Sequence, residues 1–204
     1  MIELPSLERV LEVTEEIDNE LCNLGNKPLF PFRCFETSLL IFSWIKSQDK
    51  NILPKLQGGA YINNNGNKDF HIWVEYNKKI IDYTAIQFKL GTKATTLDKL
   101  KKKYDLSKIP YKYELNNKSY SSETVYVPLI RPMIDTIEYI ISNYSFMEFE
   151  EFAYIYIKEM INLVKQYTYN ETFGLLPCTY EWCKNYDRAT ALTLKRKYNI
   201  PDWA

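Results

Sequence analysis

The stretch FHIWVEYNKKIIDYTAIQF, residues 70–88, constrains the fold more than any other segment. Two runs rich in β-branched and aromatic residues, 70–76 and 79–83, are separated only by Asn77 and Lys78. A joint of two residues closes an antiparallel hairpin and leaves no room for a crossover. If the turn is centred there, cross-strand partners have numbers that sum to about 155, from the period-2 geometry of a strand pair. Ile72, Val74 and Tyr76 then share one face, and His71, Trp73 and Glu75 the other. Upstream, GGAYINN at 58–64 reads as a further strand ending in a polar turn, and Gly58 and Gly59 permit a bend at its start. ETVYVPLI at 123–130 adds a fourth strand.

Helices surround these strands. Residues 5–24 carry apolar side chains at helical spacing, and PLFPF at 28–32 breaks that helix because proline restricts both itself and its predecessor. RCFETSLLIFSWIKSQ, 33–48, is apolar around most of its circumference, the pattern of a buried helix. After Pro132 three segments in succession carry helical periodicity, and no strand pattern appears. The expected architecture is α+β, with a core over residues 1–130 and a helical extension, 131–204, that packs on the core and covers the sheet or shapes a cleft.

Charge narrows the possible partners. Lys plus Arg equals Asp plus Glu at 26 each, so the chain offers no net field for a nucleic acid. The run KLKKKY at 99–104 reads as a solvated helix face. No apolar stretch reaches spanning length, and the amino terminus has neither the basic start nor the apolar run of a signal peptide, so a cytoplasmic protein that binds no membrane is expected, with export by a dedicated secretion system left open. Cys22, Cys34, Cys178 and Cys183 are irregularly spaced and read as thiols. A zinc site on Cys178 and Cys183 would need two further ligands, and no metal or other cofactor is expected.

Cys34 falls where the extended PLFPF segment gives way to the buried helix. The first turn of a helix carries unpaired N–H groups and the positive end of the macrodipole, which favour a thiolate and can face the oxygen of a tetrahedral intermediate. Arg33 would add positive charge beside it. His71 is the only histidine of the chain. In the hairpin register Asp82 lies nearly across from Trp73 and one diagonal step from His71, close enough to accept the imidazole Nδ1–H and leave Nε2 for the thiol proton. Nucleophile, base and orienting carboxylate are thus all present. Asn26 and Gln57 are candidate side-chain donors to an oxyanion, beside the backbone N–H of Cys34. Trp73 is expected to pack against the cleft wall, Gln87 to line the cleft, Glu75 to sit on the sheet surface and Thr84 to cap the strand end.

RCFETSLLIFSWI, GGAYI and HIWVEYNKKIIDYTAIQF together resemble the transglutaminase-like branch of the papain-type cysteine enzymes. In that branch a cysteine opens a buried helix, a histidine begins a strand of the form His-x-Trp-x-Glu, and an aspartate follows in Asp-x-Thr. The resemblance covers about residues 26–90. It implies a papain-like core in which Cys34 is the nucleophile, His71 the base and Asp82 the orienter. It further implies acyl transfer on a peptide or protein amide through a thioester, whether as peptidase, glutamine deamidase or transamidase. The competing reading is a non-catalytic protein-binding module that keeps the fold and works through the aromatic carboxy-terminal helices.

Overall fold

A computed structural model describes residues 2–49, 51–90, 93–125 and 131–172, with the side chains of 123–125 and 167–172 excepted. The chain is mixed α+β. Helix α1 spans Leu7–Asn23 and opens on Ser6, whose side chain accepts the Arg9 N–H. Its buried residues, Leu7, Val10, Leu11, Thr14, Ile17, Asp18 and Leu21, form one stripe at helical spacing. Helix α2, Cys34–Gln48, is buried at every position from Glu36 to Ile45, because it has structure on both sides.

On one side of α2 lies an antiparallel sheet of β1 (Lys55–Ile62), β2 (Lys68–Tyr76), β3 (Lys79–Ile81), β4 (Lys112–Glu114) and β5 (Tyr120–Val125), in the order β4-β3-β2-β1-β5. The β2–β3 partners are Val74–Ile81, Glu75–Ile80 and Tyr76–Lys79, which is the register the two-residue joint dictates. Asn77 and Lys78 both take positive φ, 49° and 60°, as a primed hairpin turn requires. β1 pairs with β2 along its whole length, setting Gly59 opposite His71 and Gln57 opposite Trp73. The β1–β5 register shifts between Gly58 and Gly59, a bulge at the two glycines.

Helices α5 (Arg131–Asn143) and α6 (Phe149–Thr172) pack on each other and on the far side of α2, and α6 also packs on α1. Of the two placements expected for the extension, covering the sheet or shaping a cleft, the described helices do not take the first. Their apolar residues join those of α1, α2 and the near face of the sheet in one hydrophobic cluster that runs from Leu7 to Val164. Phe149 and Phe152 set their rings against Trp44, and Tyr156 is buried beyond them, so three of the four described aromatic rings of α6 are core. The fourth described ring, Tyr154, is largely exposed, at 67%.

Between the hairpin and β5 the chain forms α3 (Gln87–Leu90), α4 (Leu97–Lys103), which carries the solvated helix face expected at 99–104, a 3-10 turn at Leu106–Lys108 and the edge strand β4. Lys99, Lys101, Lys102 and Lys103 project from α4 into solvent, while Leu97 and Leu100 anchor it. Among the described residues no helix is long and apolar enough to cross a membrane. The helix expected over 180–198, with Cys178 and Cys183, lies outside the described residues.

Candidate active site

Two anchors seat the first turn of α2. Ser38, four residues beyond Cys34 and so on the same helical face, donates its hydroxyl to the carbonyl of Ile72, the residue after His71, at 3.0 Å. Thr37 exchanges a 3.0 Å hydroxyl hydrogen bond with Thr14 of α1. The half-buried Cys34 is thereby held beside the segment of β2 that carries His71.

His71 is wholly buried, and both of its ring nitrogens have partners. Nε2 lies 2.8 Å from Asp82 Oδ2, and Nδ1 lies 3.1 Å from Nε2 of Gln87. With Nε2 taken by the carboxylate, Nδ1 is the ring nitrogen left for Cys34, whose hydrogen bond also acts on this ring. The ring is therefore turned over relative to the sequence expectation, which gave Nδ1 to Asp82 and Nε2 to the thiol. The same pair of residues meets, through the opposite edge of the imidazole. Burial works against a charge on this ring, but the Asp82 charge and hydrogen bond, reinforced by the hydrogen bond and charge of Cys34, outweigh it and raise the pKa to about 10.

Asp82 is as deeply buried and fully used. Oδ2 accepts from His71 and from the hydroxyl of Tyr120 at 2.7 Å, while Oδ1 accepts from the backbone N–H and the hydroxyl of Thr84, each at 3.0 Å. Burial alone would raise its pKa; the His71 charge and the bonds from His71, Tyr120 and Thr84 hold it below the usual carboxylate range. Asp82 lies just past β3, and its own N–H donates to the Tyr111 carbonyl. Burial, the Asp82 charge and Tyr113 push the Tyr120 phenol far above its ordinary range, so it acts as a donor.

The remaining candidates separate. Gln87 stands directly against the His71 ring. Trp73 is fully buried, packs edge-on to Tyr120 at 5.2 Å between ring centroids and donates its indole N–H to Glu75, so it is wall and not contact surface. Gln57 is buried on β1 with its amide N–H on the Gly58 carbonyl. Asn26 is away from the site: its amide donates to the Leu21 carbonyl and closes the end of α1. Arg33 does not direct its charge at the sulfur. It is 1% exposed, and its guanidinium engages Asp18 at 2.7 Å, Glu36 at 3.1 Å and the Lys27 carbonyl at 3.1 Å. Asp18 also accepts the Leu29 N–H, so this network fixes the turn that leads into Cys34.

Tyr120 is the site residue that periodicity does not reveal, because it arrives from a strand 38 positions beyond Asp82. Thr84 carries a visible signal: Asp-x-Thr is the pattern in which an aspartate side chain accepts from the backbone two residues on. Compared with protein-family models, with curated proteins and with solved structures, the chain matches none.

Proposed function

We propose that this protein is a thiol-dependent amide hydrolase or acyltransferase with a papain-like, transglutaminase-like core, in which Cys34 is the nucleophile, His71 the base and Asp82 the orienter. The observation that carries this reading is the buried imidazole held at Nε2 by an ionised carboxylate, with the Cys34 sulfur at the tip of α2 acting on the same ring.

The chemistry follows from those positions. The Cys34 thiol gives its proton to His71 Nδ1, and the thiolate attacks the carbonyl carbon of an amide. Charge develops on the carbonyl oxygen near the first turn of α2, where Arg33 supplies no side-chain cap and the Cys34 N–H can donate to it. As the carbon–nitrogen bond breaks, the Nδ1 proton passes to the departing amine and a thioester remains on Cys34. Water, or a second amine, then attacks; His71 takes its proton and returns it to the sulfur. Throughout, Asp82 keeps Nε2 protonated, so that Nδ1 is always the nitrogen that exchanges. The expected substrate is a peptide or protein amide, and no metal or cofactor enters any step.

Iodoacetamide at pH 6 provides the test. Cys34 should be alkylated at least tenfold faster than Cys22, Cys178 or Cys183, because the imidazole beside it can take the thiol proton as the sulfur reacts. The preference should vanish in His71→Ala. Equal, slow labelling of all four cysteines in the folded protein would remove the enzyme reading and leave the binding module.

A further inference from the structure

The imidazole of His71 is gripped at both nitrogens by one short turn. Residues 82–87 supply Asp82 to Nε2 and Gln87 to Nδ1, and the turn is itself fixed: Thr84 donates twice to Asp82, and the Gln87 N–H donates to the Thr84 carbonyl at 2.9 Å. The Gln87 side chain is buried and lies at hydrogen-bonding distance from the nitrogen that exchanges protons. We propose that Gln87 is the positioning residue that lets His71 pass between its neutral and protonated forms, its carboxamide donating N–H to a bare Nδ1 and turning over to accept from Nδ1–H.

The proposal rests on the thiol chemistry above, because only a reacting His71 must visit both forms. In that cycle Nδ1 is protonated while the thiolate attacks and bare once the departing amine has taken the proton. At the thioester stage the sulfur is acylated and can offer no proton, so a buried lone pair would be orphaned unless another donor reaches it. The Gln87 amide reaches it at 3.1 Å. An amide is the side chain suited to this place because it carries a donor and an acceptor on one rotatable group. A carboxylate would hold the ring protonated, and an apolar side chain would leave the neutral ring without a partner. The raised pKa of His71 makes the protonated ring, to which Gln87 would present its oxygen, the prevailing form at neutral pH; the amide-to-nitrogen contact is the one the neutral ring uses. The titratable groups that face the ring are Asp82 from the same turn, Cys34 from α2 and Tyr61 from β1, whose ring is edge-on at 6.4 Å; Tyr120 acts through Asp82. Phe88 and Trp73 complete its surroundings and do not titrate.

A single histidine makes the test direct, since selective 15N-histidine labelling yields one imidazole spectrum. In the wild-type protein the neutral ring should carry its proton on Nε2, and the Gln87 side-chain NH2 signals should move with the same midpoint as His71. Gln87→Met removes the carboxamide from both forms, but the protonated ring keeps Cys34 as an acceptor while the neutral ring loses its only donor, so the His71 midpoint should rise by about one pH unit, the equivalent of one ordinary hydrogen bond. Gln87→Glu should keep the ring doubly protonated to the highest pH at which the protein stays folded. Wild-type Gln87 signals indifferent to the His71 titration, or a Gln87→Met midpoint equal to wild type, would overturn the proposal; the first needs no variant to fold. Slow alkylation of Cys34 together with the expected Gln87 dependence would remove the enzyme reading and sustain the pairing. Fast alkylation with a titration blind to residue 87 would do the reverse.

Discussion

Replacing Asp82 by Asn exposes the logic of the site most fully. The oxygen Oδ1 can be kept in place for the two Thr84 bonds, but the new NH2 then occupies the position of Oδ2. There it meets two donors, His71 Nε2–H at 2.8 Å and the Tyr120 hydroxyl at 2.7 Å. Tyr120 can rotate its hydroxyl to accept. His71 can accept only by moving its proton to Nδ1, the nitrogen that must receive the thiol proton. The Asp82 charge that offsets burial is lost as well, so the ring pKa should fall from about 10 to 6.5 or below. At pH 7 the protonated fraction then drops from nearly all to about a quarter or less. On the proposed thiol chemistry, wrong tautomer and lost charge together should slow the reaction by roughly 10³–10⁴-fold, the scale for mis-orienting a catalytic imidazole. Loss of the charge-assisted bonds should cost roughly 2–3 kcal/mol, or about 5–10 °C in Tm for a chain of this size. The assay pairs the 15N-histidine spectrum with the pH profile of Cys34 alkylation. In the wild type the imidazole should stay protonated until near pH 10; in Asp82→Asn it should be mostly neutral by pH 7, with Cys34 alkylated more slowly there. An Asp82→Asn protein that keeps the Nε2–H tautomer and reacts with Cys34 at the wild-type rate at pH 7 would refute the argument.

Three smaller perturbations test what supports the site. Arg33→Met leaves Asp18 and Glu36 without their shared cation in a buried setting, and urea unfolding should register a loss of about 3–5 kcal/mol, with Arg33→Lys recovering only part because an ammonium cannot fork. Tyr120→Phe deletes one charge-assisted bond to Asp82 and should cost roughly 1.5–2 kcal/mol in thermal unfolding; an unchanged Tm would show that His71 and Thr84 satisfy the carboxylate alone. Lys78→Gly removes a side chain from a backbone at φ 60° and should stabilise the hairpin by about 1 kcal/mol, read as a rise in the denaturation midpoint at constant m-value.

How legible these features are in the sequence depends on how local they are. The hairpin register is fixed by a two-residue turn and an alternating pattern, so Val74 and Ile81 pair where the numbers require. The buried character of α2 is equally plain, since ten consecutive positions without a polar face can only be enclosed. What encloses them is not plain: α5 and α6 are amphipathic helices whose stripes fit any apolar surface, and their choice of α1 and α2 over the sheet is a matter of tertiary packing. Arg33 shows the same limit with charge. Next to Cys34 in the chain it reads as electrostatic help for a thiolate, yet Asp18, fifteen residues earlier on α1, captures it. Two unlike charges brought together by a helix pair outcompete a neighbour along the backbone, because a buried cation must be paired.

The inverted imidazole is the sharpest case. Strand pairing places a histidine within reach of a carboxylate, but either ring nitrogen would satisfy that contact. The choice is made by the other contact, with the thiol and Gln87, which arrive from two further elements. Gln87 in turn lies near the ring only because the Asp82 side chain folds residues 82–87 into a turn, so one carboxylate both selects Nε2 and delivers the group that attends Nδ1. Asp82→Asn, by moving the imidazole proton to Nδ1, should therefore disturb the pH response of the Gln87 amide signals, whereas Tyr120→Phe, which leaves the carboxylate on Nε2, should not.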